Sequence, residues 1–200
     1  RMELIFDGTA LQAVDLLSSS LHGLLTSGAA PWFHLDMKDE EIGRDDDVRE
    51  WLQDTSQRML RGFDQSNFGT EVHEMYVDLV VFGTGCMFVE MEDGALRFST
   101  RHISEFYIQE NQFGMVDTVF RSYKSPVRQV VQRFGLENVT DYIAKKNQDK
   151  PDEEVEILHV VIPREDRDKT KIDNKNMPFA SIYIDMQSSA MLSESGFQEF

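Results

Sequence analysis

Two hundred residues with an apolar share of 40% are enough to bury one sizeable core or two smaller ones. The chain carries 20 basic and 36 acidic side chains, a net charge of −16. That balance argues against tight nucleic-acid binding, which needs clustered Lys and Arg to displace counterions. No run of 18 apolar residues is present to span a membrane and no charged-then-apolar signal segment opens the chain. The single cysteine, Cys86, rules out an internal disulfide and a Cys-based zinc site, which suits a reducing compartment.

The first element is a helix over residues 9–27, TALQAVDLLSSSLHGLLTS. Leu11, Val14, Leu17, Leu21, Leu24 and Leu25 recur at helical spacing. Asp7 or Thr9 can cap its start, and Gly28 with Pro31 ends it. Pro31-Trp32-Phe33 then sets two large rings beside a rigid turn, where they anchor the loop on the core. The acidic run DMKDEEIGRDDD, residues 36–47, invites a calcium reading. It lacks the alternating oxygen ligands and terminal Glu of an EF-hand loop. Asp47 with Glu50 reads instead as a capping-box start for a helix over about 48–63. Val48, Trp51, Leu52, Met59, Leu60 and Phe63 form its apolar side. A third helix covers about 68–82, with Asn67 as its cap.

After the helices the period changes. CMFVEM (86–91) and ALRFST (95–100) read as a hairpin around Asp93-Gly94. EFYIQE and MVDTVFRSY form a second hairpin through Asn111–Gly114. Ser125 caps a short helix, PVRQVVQRFG, with Pro126 at its first position and Gly135 at its end. Residues 139–147 suit one or two more helical turns, and 146–154 form a polar linker. VEILHVVI (155–162) is a strong strand, 163–176 a charged, mobile loop, and FASIYIDM (179–186) a strand, with a last strand through Met191-Leu192. The reading is an α+β chain in three segments: helical 1–85, antiparallel hairpins plus short helices 86–150, and β-rich 151–200.

The stretch FGTGC, residues 82–86, tests for nucleotide binding. Phosphate loops need a strand that leads into a glycine turn and then a helix, whose N–H groups face the anion. Here a helix leads in and a strand leaves, so the turn lies at the carbonyl-rich end of the helix. The spacing fits neither GxGxxG nor GxxxxGK[ST]. Gly83 reads as a helix-ending residue in the left-handed region and Gly85 as a sharp turn into the sheet. His73-Glu74 begins like HExxH, but Val77 breaks the motif. His22, His34, His73, His102 and His159 show no pair at ligand spacing, and His22 and His159 sit at core edges. Cys86 lies in an apolar strand, and Ser18-Ser19-Ser20 has no nucleophile-elbow signature. The sequence therefore assigns no catalytic, cofactor-binding or metal residue, and no nucleic-acid contact.

The order of these elements resembles the portal, or head-to-tail connector, proteins of short-tailed bacteriophages (podoviruses). The resemblance is carried by FDGTALQAVDLLSSSLHGLLTS at 6–27, PWF at 31–33 and WLQDTSQRML at 51–60. It continues through SNFGTEVHEMYVDLVVFGTGCMFVE at 66–90, ISEFYIQENQFGMVDTVFRSYKSPVRQVVQRFG at 103–135 and SGFQEF at 195–200. It implies a non-enzymatic subunit of a homo-oligomeric ring, generally a dodecamer, made in the host cytoplasm and placed at one capsid vertex of the virion. Its partners would be capsid protein, terminase, tail or adaptor proteins and scaffold or internal core proteins. Double-stranded DNA would pass through the channel without sequence-specific binding, and no membrane is involved. This segment would be the wing, with N-terminal helices packed on antiparallel β-hairpins. Opening on Arg1 and stopping at SGFQEF, it reads as a fragment, and the resemblance implies a continuation past Phe200 into stem, clip, tunnel-lining helix and crown. Two other readings compete: an interaction adaptor working through Trp32, Phe33 and the 163–176 loop, and a hydrolase or transferase using Cys86, the histidines and the acids from Asp36 to Asp47.

Overall fold

The structure is a computed structural model that describes residues 7–92, 94–171 and 173–199. Packing divides the chain once, into Arg1–Ile103 and Ser104–Phe200, where the sequence reading draws boundaries at 85/86 and 150/151.

Among its described residues the first unit holds four helices and a hairpin: α1 (Thr9–Leu25), α2 (Glu40–Gly43), α3 (Asp46–Asp64), α4 (Phe68–Phe82), β1 (Met87–Glu92) and β2 (Ala95–Thr100). The acidic run is spent on helix starts. Asp39 accepts from the N–H groups of Glu41 and Ile42 to open α2, and Asp45 accepts from those of Asp47 and Val48 to open α3. The capping residue is therefore Asp45, two positions before the expected Asp47, because its extended backbone aims the carboxylate at the first free N–H groups.

Asn67 also corrects its expected role. It stands at the start of α4 but makes no cap bond. Its Oδ1 accepts from Phe98 N (2.9 Å) and its Nδ2 donates to Phe98 O (2.8 Å). The amide thus fills the place of a neighbouring strand beside β2, whose other edge pairs with β1. The core beneath is aromatic: Trp32 stacks on Phe68 at 5.7 Å between centroids, and Phe63 lies 4.8 Å from Phe68 and 5.8 Å from Phe98. Of the expected turn Asp93-Gly94, Asp93 lies outside the described residues; β1 and β2 pair antiparallel from Met87↔Thr100 to Glu92↔Ala95.

The second unit is a five-stranded antiparallel meander, β3-β4-β5-β6-β7. Its strands are β3 (Phe106–Glu110), β4 (Val116–Pro126), β5 (Glu154–Pro163), β6 (Phe179–Asp185) and β7 (Ala190–Phe197). Two helices, α5 (Val127–Phe134) and α6 (Asp141–Asp149), fill the β4–β5 connection. Their apolar side buries Val127, Val130 and Ile143 with Val155, Ile157, Tyr183 and Leu192 of the sheet. β4 runs straight into α5, so Ser125 is a strand residue and Pro126 precedes the helix. No side chain caps α5; Val127 N and Arg128 N donate instead to the Glu153 and Pro151 carbonyls (3.0 and 2.9 Å). The expected cap fails because the loop before β5 supplies those acceptors.

The charged loop after β5 folds on itself. Arg164 N donates to Pro178 O (2.8 Å), Asp168 N to Asn176 Oδ1 (2.8 Å), and Arg164 pairs with Glu194 (2.7 Å). Thr170 donates to Asp168, and Asn176 to Asp173; both bonds favour the ionised carboxylate and hold it below its ordinary range. The expected mobile loop is thus a hydrogen-bonded one.

Candidate functional site

The FGTGC corner is a structural joint. Gly83 ends α4 in the left-handed conformation (φ 74°, ψ 3°), with its N–H on Leu79 O at 2.9 Å. Gly85 serves a different need from the expected turn. A Cβ there would stand 2.8 Å from Met75 Cγ and 3.2 Å from Met75 O, so the residue lets the chain pass close over α4. The corner follows the C-terminal end of α4, so a phosphate there would meet carbonyls rather than amides.

The histidines do not converge on a reactive group. His22 and His73 are brought near one another across α1 and α4 (ring centroids 5.7 Å), with Tyr76 beside His22 at 6.4 Å. His102 packs on Phe82 and His34 is exposed. His159 is buried in the middle strand of the sheet, stacked 4.0 Å from Tyr183 and hydrogen-bonded to Ser181 Oγ at 2.9 Å. Cys86 is half-buried. Among the described residues no three His, Cys, Asp or Glu side chains form a group able to hold a metal ion. Ser18 and Ser20 turn their hydroxyls back to the Val14 and Leu16 carbonyls (2.6 and 2.7 Å), which removes them as nucleophiles poised by a base.

Ion pairs follow the same economy of structure. Lys146 donates to Glu153 at 2.6 Å, and Lys150 lies 3.4 Å from the same carboxylate. The hydrogen bond from Lys146 holds the Glu153 carboxyl below its usual range, and the reciprocal bond, helped by Tyr142, raises the Lys146 ammonium. The pair fastens α6 to the segment that leads into β5. A groove nearby is lined by Lys124, Glu153, Glu154, Glu156 and Met186, carboxylates already committed in part to these contacts.

What the surface does offer is apolar area. Trp32 and Phe33 are not part of it: both are half-buried in the aromatic core, which removes the anchor of the adaptor reading. The exposed residues lie elsewhere. On α1 they are Leu11, Leu16, Leu17, Leu24 and Leu25, with Leu24 at 83%. On the β3–β4 hairpin they are Tyr107, near the start of β3, and Phe113 and Met115 at the tip. Four residues of the expected core stripe of α1 are therefore open; the side that packs on α4 centres on Val14, Ser18, Leu21 and His22. Sequence reasoning missed this second side, although a signal was present. Leucines surround the whole helix and Asp15 is its one formal charge, a pattern that calls for cover on more than one face.

Among the described residues the geometry thus presents exposed apolar surface. A family model described as bacteriophage head to tail connecting protein matches residues 1–200. The portal protein of Salmonella phage epsilon15 is 36% identical over 200 residues, covering 98% of this chain and 36% of that protein. The probable portal protein of Bordetella phage BPP-1 is 30% identical over 200 residues, again covering 98% of this chain and 36% of that protein. The chain therefore spans little more than a third of the length of the curated relatives it matches.

Proposed function

The chain belongs to the bacteriophage head to tail connecting family, and on that premise we propose that it is the wing segment of a portal subunit from a short-tailed phage. The ring it belongs to, a dodecamer, sits at one capsid vertex. Double-stranded DNA enters and later leaves the head through it. Capsid protein, the terminase motor, scaffold or core proteins and the tail dock on it. The observation that carries this reading is the match along all 200 residues, with two proteins named as portals aligned over the same span.

The physical chemistry fits a scaffold. Aromatic and aliphatic side chains are used in two cores, helix-start aspartates in capping, and serine hydroxyls in satisfying their own helix. A charge of −16 repels phosphate, so a duplex passing such a surface slides without being gripped. No helix among the described residues is long and apolar enough to cross a membrane.

Electron microscopy of the complete protein tests the reading. Rings with a central channel are expected. A monodisperse monomer under every assembly condition, including raised salt and divalent cations, would refute it.

A further inference from the structure

The two sides of α1 can be separated by position. One side, Val14, Ser18 and Leu21, packs on α4. Roughly 100° around the axis runs a second row, Ala10, Ala13, Leu17, Ser20 and Leu24, all exposed. Its spacing alternates three and four residues, the period of a seam that docks against another element. The hydroxyl of Ser20 bonds Leu16 O at 2.7 Å, so the row presents no polar group in need of a partner.

We propose that this row is a contact between neighbouring copies of the chain. The inference rests on the ring reading above and names the surface that would join its subunits. Charge decides the occupant. Residues 1–103 hold eight basic and nineteen acidic side chains, and these 200 residues of each copy carry −16. Like copies repel wherever their carboxylates meet. From Gly8 to Leu35 the only formal charge is Asp15, in a chain that is 28% charged, so this stretch is where two acidic copies approach at least electrostatic cost. A lipid surface fits poorly, because α1 has no Lys or Arg to meet anionic headgroups. Because the contact is apolar, its strength persists when salt screens the surrounding repulsion.

The test uses the full-length protein with a photo-crosslinking amino acid at position 24, assembled from a mixture of isotopically heavy and light copies. Rings purified after irradiation are expected to yield heavy–light pairs joined through position 24, while the same probe at the exposed Arg58 on α3 yields at least about tenfold less. Leu17→Glu with Leu24→Glu is expected to lower the ring fraction more than about tenfold at fixed protein concentration. Helix content by circular dichroism should be kept, and Ser19→Glu, on the same helix but off the row, should leave assembly unchanged. Rings whose crosslinks stay within one chain, or that reach only another protein or lipid, overturn this inference and leave the ring reading standing. A wild-type protein that forms no rings removes both.

Discussion

Replacing Asn67 separates two physical roles that a residue at a helix start can play. Its amide makes two hydrogen bonds to the backbone of Phe98, at 2.9 and 2.8 Å, and no bond to the N–H groups of α4. Each such bond is worth about 1 kcal/mol net, and more where its loss strands a covered partner. Phe98 is 5% exposed, so Asn67→Ala is expected to cost the first unit about 2 kcal/mol. Asn67→Asp is the sharper probe. Asp is as good an N-cap as Asn, so a capping role predicts little change. Here the new carboxylate would face the Phe98 carbonyl and the Glu71 carboxylate, 3.4 Å from the present Nδ2, so Asp is expected to destabilise at least as much as Ala. Both tryptophans of the chain, Trp32 and Trp51, lie in the first unit, and Trp32 stacks on Phe68 next to the substitution. Their fluorescence during urea unfolding therefore reports this unit alone. With a slope of about 1–2 kcal/mol/M for a unit of this size, the midpoint falls by about 1 M or more. An Asn67→Asp variant as stable as the wild type would refute the bridge and restore the cap.

Four further outcomes are expected. Ile143→Ala, at a site with no solvent exposure in the second core, costs about 2–5 kcal/mol, read as a lowered thermal midpoint by circular dichroism. Gly196→Ala places a Cβ 2.5 Å from Asn174 O and 2.8 Å from Phe179 O; since backbone cannot swing aside, it destabilises the sheet more than Gly28→Ala, which meets nothing within 4 Å. The Lys146–Glu153 pair gives a pH dependence of defined sign. The lowered Glu153 carboxyl adds stability that is present above its unfolded value and is lost as pH falls through the folded one. The raised Lys146 ammonium adds stability that is present below its unfolded value and lost only as pH rises through the folded one. Glu153→Gln should flatten the acid limb of a stability–pH profile, and an unchanged limb would count against the pair. Finally, ring assembly of the wild type should strengthen as monovalent salt rises, because screening removes repulsion between acidic copies and leaves apolar contacts intact; light scattering that falls with salt would contradict this.

Local pattern was enough wherever a residue's role depends on its immediate neighbours. The span of α4, Phe68–Phe82, and the left-handed Gly83 behind it follow from helical period and a glycine stop. Strands β2, β5 and β6 follow from alternating or continuous apolar runs, and the absence of a phosphate loop at FGTGC follows from the order helix, glycine, strand. The relation to connector proteins was also legible, because it is carried by an ordered series of such segments along the whole chain.

Other features depend on groups far apart in the chain, and these only the tertiary structure decided. The partner of Asn67 is 31 positions away, so a cap was the natural local reading and a strand-like bridge the actual one. The carbonyls that receive the first N–H groups of α5 come from residues 151 and 153. The loop after β5 looks mobile from its charge, yet Arg164 pairs with Glu194 of β7 and the Asp168 N–H donates to Asn176 Oδ1 once the strands pair. On α1, periodicity showed that apolar residues recur but not which of its sides meets α4, because a helix ringed by leucines offers several equivalent stripes. Sequence determines what a stretch of backbone prefers, through dihedral and solvation preferences that act over a few residues. Which apolar side is buried and which polar group finds its partner are settled only when distant segments compete for the same contacts.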